Sequence, residues 1–166
     1  ALAIVLEFAP IGAGLIVAGR VGASLGAEIG AMRITEQIDA IEVLGLSAMK
    51  QLVAPRVLAC MLALPLLTIF MAVLAIGGGF AAEMTAGTLT SLQYEQRTWE
   101  GLLLEDALPA IAKTVAFGFL VGVSGCYFGM KAAGGTEGVG HAATRSVELA
   151  TLLVLVANVA LVKVIQ

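Results

Sequence analysis

The run from Val57 to Ala82 contains no Asp, Glu, Lys or Arg, and no other feature of the chain restricts its fold so strongly. A helix needs about 20 apolar residues to cross a bilayer, so this run is long enough for one crossing. The chain as a whole is 60% hydrophobic and only 13% charged, whereas about 25% charged residues are usual in soluble domains. We therefore predict an all-α, polytopic membrane protein that forms one domain over residues 1–166.

Three further segments are apolar enough to predict membrane helices, which brings the expected number of spans to about four. They cover residues 1–32, 107–130 and 145–165. A glycine-rich loop over residues 134–140 is expected before the last span. A polar loop over residues 83–106 separates the second span from the third, and its charged residues are Glu83, Glu95, Arg97, Glu100, Glu105 and Asp106.

A short charged segment, Glu36–Glu42, interrupts the apolar sequence between the first two spans. Each charge costs about 2.5–3.5 kcal/mol at the centre of a membrane helix, so this segment should lie at the membrane surface. At helical periodicity its isoleucines share one face and its acidic residues point away. The apolar face comprises Ile34, Ile38 and Ile41, and the outward face comprises Glu36, Asp39, Glu42 and Val43. We predict an amphipathic helix that docks another protein.

Local signals predict where this helix begins and ends. Thr35 is the expected N-cap, with Glu36 in the first turn, where the helix dipole favours an anion. Gly45 is expected to end the helix. Residues 47–55 are predicted to form a polar connector, and Pro55 then opens the next span.

The distribution of basic residues predicts the orientation in the membrane. The polar loop over residues 83–106 contains a single one, Arg97. Under the positive-inside rule, the charged segment is therefore cytoplasmic and the polar loop lies outside. The cytoplasmic side holds the remaining basic residues near the ends of spans, which are Arg33, Lys50, Arg56, Lys131 and Arg145.

Small residues recur every fourth position in the first span, a spacing that lets helix backbones approach closely within a bilayer. We predict that these residues form helix packing or a dimer interface. Asn158, inside the last apolar run, is expected to hydrogen-bond a neighbouring helix. The small residues form two interleaved sets, Gly19–Ala23–Ala27 and Gly22–Gly26–Gly30.

No arrangement of residues in the sequence predicts a catalytic or metal site. The glycine-rich loop lacks the Lys-Ser/Thr pair with which a phosphate-binding loop reaches phosphate and magnesium. His141 is the only histidine, which excludes a two-histidine metal site, and it is expected in a loop or cap. Cys60 and Cys126 both lie in apolar runs and are interpreted as small helix residues.

Ionisable residues inside membrane spans are rare, so Glu7, Arg20 and Glu28 are the remaining functional candidates. Glu7 lies one turn before Pro10, and it either lines a polar-headed cavity or is neutralised at the interface. A segment that precedes this chain could supply its partner. Arg20 and Glu28 are eight residues apart, and we expect them to pair with each other or with a neighbouring chain.

Several sequence blocks together resemble the MlaE/YrbE-type permease family, and they extend over nearly the whole chain. No single block is specific, but their combination in this order is. The blocks are Gly19-Arg20-Val21-Gly22-Ala23, Ala27-Glu28-Ile29-Gly30-Ala31-Met32, Thr35-Glu36-Gln37-Ile38-Asp39-Ala40, Pro55-Arg56-Val57-Leu58-Ala59, Leu64-Pro65-Leu66-Leu67, and Gly138-Val139-Gly140 with Ala143-Thr144.

The resemblance implies the membrane subunit of an ATP-driven transporter that moves phospholipids or other lipids between the bacterial inner membrane and the cell envelope. Such permeases form homodimers, with an ATPase dimer below them and a ring of lipid-carrying MCE-domain subunits above. ATP and magnesium would be bound by the ATPase, and this chain would carry no cofactor. Relatives have an interfacial helix and another transmembrane helix before this region, so we expect the chain to be the C-terminal two-thirds of a permease.

The resemblance also implies roles for particular residues. The coupling helix that enters the ATPase groove would present Glu36, Gln37, Asp39, Ala40 and Glu42. Glu7 matches an acidic position of the family near the outward-facing lipid cavity, which Pro10 would also line. Relatives often carry a basic residue just before this glutamate, where the present chain has Leu6.

Two alternative functions remain open at this stage. An ion-coupled secondary carrier would use Glu7, Arg20 and Glu28 as a relay, and its flux would respond to a proton gradient without ATP. A membrane scaffold that transports nothing would be purified without lipid, and it would tolerate bulky side chains in the cavity.

Overall fold

The structure, a computed structural model, describes residues 7–86 and 104–165, and these residues form helices joined by short turns. Most of the predicted polar loop, residues 87–103, lies outside the described residues. Two π-helical segments, Ala18–Gly22 and Met49–Val53, continue into the helices that follow them. The α-helices are α1 (Ala9–Val17), α2 (Ala23–Ile34), α3 (Gln37–Val43), α4 (Ala54–Ala86), α5 (Leu104–Met130) and α6 (Gly135–Ile165).

Four helical stretches are long and apolar enough to cross a membrane, which confirms the predicted all-α, polytopic architecture. The second stretch exposes a series of large apolar side chains along α4, as expected of a helix that faces lipid. The stretches are Ala9–Ile34, Met49–Ala82, Pro109–Met130 and Gly135–Lys163. The exposed side chains on α4 include Leu58, Leu62, Leu66, Phe70 and Val73.

Helix α5 lies at the centre of the bundle, in contact with α1, α2, α4 and α6. Its largest fully buried side chain, Phe117, packs with Leu64 of α4 and Val154 of α6 in one apolar cluster. A second cluster joins Cys126 of α5 to Val57 at the start of α4. The described core therefore extends along α5, with the other spans arranged around it.

Four glycines on one side of α5 allow two helices to approach its backbone. A methyl group on Gly118 would lie 2.5 Å from the carbonyl oxygen of Cys60 in α4. At Gly129 it would lie 2.7 Å from Cβ of Ile29 in α2. Distances this short leave room only for hydrogen, so glycine is required for the packing. The glycine face of α5 consists of Gly118 and Gly122, which meet α4, and Gly125 and Gly129, which meet α2.

The two predicted sets of small residues in the first span differ in their surroundings. Gly22, Gly26 and Gly30 are buried, and Gly26 packs against Ala142 and Ser146 of α6. Gly19 of the other set is exposed, and no described atom lies within 4 Å of the position that a Cβ would take there. Ala23 and Ala27 are half-buried.

Two predicted loops are wrong because helices occupy them. α6 begins at Gly135, ten residues before the predicted start, because the positive φ angles of Gly134 (92°) and Gly135 (74°) complete the turn from α5 within a few residues. The predicted polar connector over residues 47–55 is also helical over most of its length. Ala48 and Leu52 are buried in the second apolar cluster, so this segment is held to the bundle by apolar contacts.

The end of α2 that leads into α3 lies at the same end of the bundle as the turn from α5 to α6. A Cβ on Gly30 of α2 would lie 3.2 Å from Ala132 in that turn and 3.7 Å from Ala142 of α6. We call this end of the bundle the α3 end. The basic residues on which the orientation rests, Arg33, Lys50, Arg56, Lys131 and Arg145, therefore share one end, as the positive-inside rule requires.

Replacing Gly118 with alanine should destabilise the bundle. The added methyl group would meet backbone atoms of Cys60 and Met61, which cannot rotate away, so α4 has to move. Overpacking of this kind costs about 1–3 kcal/mol. The loss of stability is measured as the change in the free energy of unfolding, obtained by SDS titration of the protein in mixed micelles. The matched control is Gly77→Ala in α4, where no described atom lies within 4 Å of the new methyl group. Equal stability of the two variants would contradict the assigned packing.

Candidate functional site

The amphipathic helix predicted for the charged segment is present as α3, and it is anchored by its apolar face. Ile38 is fully buried and Ile41 is half-buried, and both pack in the cluster that contains Ile29 of α2 and Leu52 of the following segment. Burial of one large aliphatic side chain contributes about 1.5–3 kcal/mol in aqueous surroundings, so α3 is fixed to the spans on both sides of it.

The helix begins differently from the prediction, because Thr35 is not its N-cap. Thr35 ends α2, and its hydroxyl donates a hydrogen bond to the carbonyl oxygen of Ala31 (2.9 Å). Glu36 is the residue that precedes α3, and it has a left-handed backbone with φ of 59°. The chain changes direction between two helices at this one residue, and a β-branched threonine tolerates that conformation poorly.

The end of α3 agrees with the prediction that Gly45 terminates it. Gly45 has φ of 76°, and its N–H donates to the carbonyl oxygen of Glu42 (3.0 Å). The N–H of Leu46 donates to the carbonyl oxygen of Ile41 (3.2 Å). These two bonds form a Schellman motif, which requires a residue that adopts the left-handed conformation at little cost.

Two ion pairs join α3 and its flanking helices at the α3 end. Arg33 of α2 pairs with Asp39 of α3, and both side chains are exposed. Arg56 of α4 donates from Nη2 to Oε1 of Glu28 in α2 (2.5 Å) and from Nη1 to the carbonyl oxygen of Leu52 (3.1 Å). The second pair links the helix that enters α3 to the helix that follows it.

Of the two predicted arrangements, pairing of Arg20 with Glu28 is therefore wrong, because Glu28 pairs with Arg56. Pairing with a neighbouring chain stays a prediction. Eight residues correspond to a rise of about 12 Å along a helix, which is too far for direct contact. Arg20 lies in the π-helical segment and is exposed. Within the part of the chain that the structure describes, Arg20 forms no ion pair.

The outward face of α3 is acidic along its length and apolar at its end. The apolar end was not predicted as part of a docking site, although Val43 was placed on the outward face. Val43 is 87% exposed and Leu44 is 76% exposed. We refer to this face as the α3 surface, and it consists of Glu36, Gln37, Asp39, Ala40, Glu42, Val43 and Leu44, all exposed.

A polar cluster lies on α5, on α6 and just before α1, away from the α3 end. Nζ of Lys113 lies 3.3 Å from Oε1 of Glu7, and Nδ2 of Asn158 donates to Oε2 of the same carboxylate at 3.4 Å. The Lys113 side chain is 5% exposed and that of Glu7 is 30% exposed. Glu7, Lys113 and Asn158 together are called the polar cluster. Asn158 thus makes the interhelical hydrogen bond that was predicted for it.

The sequence left open whether a segment before this chain supplies the partner of Glu7, and the structure shows a partner within the chain. Lys113 supplies the opposite charge from within the chain. The signal for it was available in the sequence, because Lys113 is a basic residue within the predicted third span. An intramembrane charge needs an opposite charge at contact distance, so the sequence marks both residues as candidates for an ion pair without showing that they meet.

One atom of the polar cluster has an unused hydrogen-bonding capacity. Oδ1 of Asn158 is buried and accepts no hydrogen bond from any described residue. Exchanging the amide oxygen and nitrogen would turn the oxygen towards the Glu7 carboxylate, so the assignment shown is the favourable one. Lys113 also has three N–H donors, of which one is directed at Glu7. Both groups are buried in this structure, so a ligand would reach them only after the surrounding helices move apart.

Other predicted site residues are placed as follows. Pro10 is fully buried in the first turn of α1, and its predicted role in lining a cavity remains a prediction. His141 lies within α6, not in a loop, because that helix begins earlier than predicted. Its Nε2 lies 3.6 Å from Oε1 of Glu137. Among residues 7–86 and 104–165, no group of three His, Cys, Asp or Glu residues is arranged to hold a metal ion.

Replacing Lys113 with methionine should destabilise the protein, because it leaves the Glu7 carboxylate without its counter-charge. Removing one partner of a buried pair costs about 3–5 kcal/mol, and we expect about 3 kcal/mol because Glu7 is partly exposed. The double variant Glu7→Gln/Lys113→Met should recover most of this loss. SDS titration of the unfolding free energy of the four proteins forms a double-mutant cycle, and additive losses would show that the two residues do not interact.

Comparison with known proteins identifies the family of the chain. Residues 1–164 match the family described as Permease MlaE. A probable ABC transporter permease protein of Rickettsia typhi is 38% identical over 157 residues, which cover 95% of this chain and 61% of the relative. A probable ABC transporter permease protein of Synechocystis is 33% identical over 157 residues (95% and 60%).

A relative from a plant is also similar. The Arabidopsis thaliana protein Trigalactosyldiacylglycerol 1, chloroplastic, is 31% identical over 166 residues, which cover 95% of this chain and 45% of the relative. The chain spans about three fifths of the length of the bacterial relatives. The family match over residues 1–164 confirms the resemblance seen in the sequence, and the chain belongs to the MlaE permease family.

Proposed function

We propose that this chain is the membrane-spanning part of an ATP-driven transporter that moves phospholipid between the bacterial inner membrane and the cell envelope. The observation that carries the proposal is the α3 surface, which exposes acidic and apolar side chains on a helix that is fixed to two spans. Apolar residues this exposed at a polar membrane surface are expected to be covered by another protein. ATP and magnesium would be bound by that partner, an ABC-type ATPase.

The way α3 is attached suits it to transmit a displacement. Ile38 anchors it to the core, Gly45 fixes its end, and the pair between Glu28 and Arg56 holds the flanking helices together. A force applied to the α3 surface would therefore reach α2 and α4 and would not be absorbed by a loose loop. Coupling of ATPase closure to the membrane spans needs such a connection.

The polar cluster, away from the α3 end, is suited to hold a lipid headgroup. If the spans around the cluster separate, Lys113 would offer donors for a phosphate oxygen, and Oδ1 of Asn158 would offer an acceptor for a hydroxyl or ammonium group. The surrounding spans present apolar side chains on which acyl chains can lie, as a lipid cavity requires. One relative bears the name of a glycolipid, trigalactosyldiacylglycerol, which also favours a lipid substrate.

A second copy of the chain and a lipid-carrying subunit would complete the transporter. The face that contains Gly19, Ala23 and Ala27 has small, partly exposed side chains, and such a face permits close approach of another helix. We propose that it contributes to a homodimer whose apolar cavity holds the lipid. An MCE-domain subunit would receive the lipid on the envelope side.

The two alternative functions have less support. A relay for an ion-coupled carrier needs Glu7, Arg20 and Glu28 to exchange protons along the first span. Glu7 instead pairs with Lys113, and Glu28 pairs with Arg56. A scaffold that transports nothing would have no use for the unused donors and acceptor of the polar cluster.

Reversing two charges on the α3 surface should weaken binding of the ATPase. Glu36→Lys/Glu42→Lys changes two exposed carboxylates that form no ion pair within the described residues, so the fold should not be disturbed. We expect at least about tenfold weaker association of the ATPase with the full-length permease in nanodiscs, measured by biolayer interferometry. The control is Glu137→Lys, an exposed carboxylate at the α3 end but outside α3. Unchanged binding of the double variant would refute the docking role.

Neutralising the polar cluster should reduce lipid transfer without affecting binding of the ATPase. Glu7→Gln/Lys113→Met removes both charges while leaving no unpaired one. We expect roughly tenfold slower ATP-dependent transfer of fluorescent phospholipid from proteoliposomes containing the full-length complex, from loss of one charged headgroup contact. Lys163→Met, an exposed lysine beyond Asn158 on α6, is the matched control. Transfer that continues without ATP but follows a proton gradient would favour the carrier.

A further inference from the structure

A second site with unused charge lies at the α3 end, between the last turn of α5 and the first turns of α6. There the two helices enclose an open cleft of about 390 Å³. The cleft is separate from both the α3 surface and the polar cluster. We call it the basic cleft, and the lining residues that matter are Phe128 and Lys131 of the α5 side and Gly138, His141, Ala142 and Arg145 of α6.

The cleft carries excess positive charge. Within the described residues, neither Lys131 nor Arg145 has a carboxylate at ion-pair distance. Lys131 instead contacts Tyr127, with Nζ 2.5 Å from the phenol oxygen and 4.3 Å from the ring centroid. Glu137, a carboxylate in the first turn of α6, is directed at His141. Two cations that converge on a cleft without a counter-charge form a site for an anion.

The basic cleft lies at the level where lipid headgroups are expected. The third apolar span ends at Met130, one residue before Lys131. Tyr127 is exposed and its ring packs edge-on against that of Phe128 (5.3 Å between centroids). Aromatic residues beside basic ones mark the boundary between the hydrocarbon and the headgroups, and the positive-inside rule places this end in the cytoplasmic leaflet.

An apolar stripe on α5 leads from the bilayer interior to the cleft. Phe119, Val123 and Tyr127 are all exposed, and they follow one another at four-residue spacing. The next residue in this series is Lys131, so the stripe and the cation share one face of the helix. A molecule that lies along this face would contact apolar side chains at one end and a positive charge at the other. A phospholipid has the matching arrangement, an apolar chain at one end and an anionic phosphate at the other.

We propose that the basic cleft binds the phosphate of an anionic phospholipid from the cytoplasmic leaflet, with one acyl chain along the stripe from Phe119 to Tyr127. The volume of the cleft suits a glycerophosphate headgroup, while the acyl chains remain outside in the bilayer. Arg145 on α6 and Lys131 at the end of α5 bind the phosphate from opposite sides of the cleft. The proposal holds whether or not this lipid is the transported one, so it does not rest on the proposed function.

The test compares retention of phosphatidylglycerol by the full-length protein. The protein is placed in phosphatidylcholine nanodiscs that contain a minor fraction of phosphatidylglycerol. After the protein is released from the nanodisc, native mass spectrometry counts the phosphatidylglycerol molecules that stay bound to it. A cation near the membrane surface contributes about fivefold to anionic-lipid binding, so Lys131→Gln/Arg145→Gln should retain the lipid about 25-fold more weakly. Lys131→Arg/Arg145→Lys keeps both charges and should retain it.

Matched controls separate the possible sources of an effect. Lys50→Gln/Lys163→Gln removes the same charge from outside the cleft and should leave retention unchanged. An equal loss in this control, or full retention by Lys131→Gln/Arg145→Gln, would overturn the proposal. So would displacement of the lipid by millimolar inorganic phosphate, which would identify a site for free phosphate. Weaker ATPase binding with unaltered lipid retention would identify a protein-docking surface and would also overturn it.

Discussion

Close packing along the glycine face of α5 is the interaction on which the rest of this structure depends. Inside a bilayer no exclusion of water drives helices together, so association relies on van der Waals contact between backbones. Gly118 and Gly122 admit α4, and Gly125 and Gly129 admit α2 further along the same face. Because α2 and α4 meet α5 at successive positions, their ends converge where Glu28 reaches Arg56. The Glu28–Arg56 ion pair, and with it the placement of α3, therefore depends on the four glycines of α5.

Ion pairs among the described residues lie at two places, and different physical conditions apply at each. At the α3 end, water is available, and exposed pairs such as Arg33–Asp39 serve to position helices more than to stabilise them. In the polar cluster, Lys113 is nearly inaccessible, so its charge is tolerated only because Glu7 is in contact with it. An unpaired acceptor beside such a pair, like Oδ1 of Asn158, is costly unless a ligand donates to it.

Sequence periodicity and composition predicted the features that depend on local chemistry. The uncharged run from Val57 to Ala82 predicted a span, the isoleucine spacing predicted the buried side of α3, and Gly45 predicted its end. The N-cap was assigned to Thr35 and not to Glu36. The packing of α2 against α3 decides which of these two adjacent residues has the left-handed backbone, and the local sequence does not show it. The glycine face of α5 was not predicted, although its spacing of four, three and four residues is visible in the sequence. The contact between Glu7 and Lys113 joins residues 106 apart, and local patterns do not reveal such pairs.

The connections within the bundle bear on how a displacement of α3 would be used under the proposed function. α3 cannot turn by itself, because Ile38 is buried and its two ends are fixed by Glu36 and Gly45. Its movement must therefore carry α2 and α4 across the glycine face of α5. The four glycines of this face have no side chains to obstruct sliding. α1 continues into α2 through the π-helical segment Ala18–Gly22, and Glu7 before it is held to α5 by Lys113. A shift of α2 against α5 would thus strain the Glu7–Lys113 contact, so opening of the headgroup site and movement at the ATPase surface are mechanically linked.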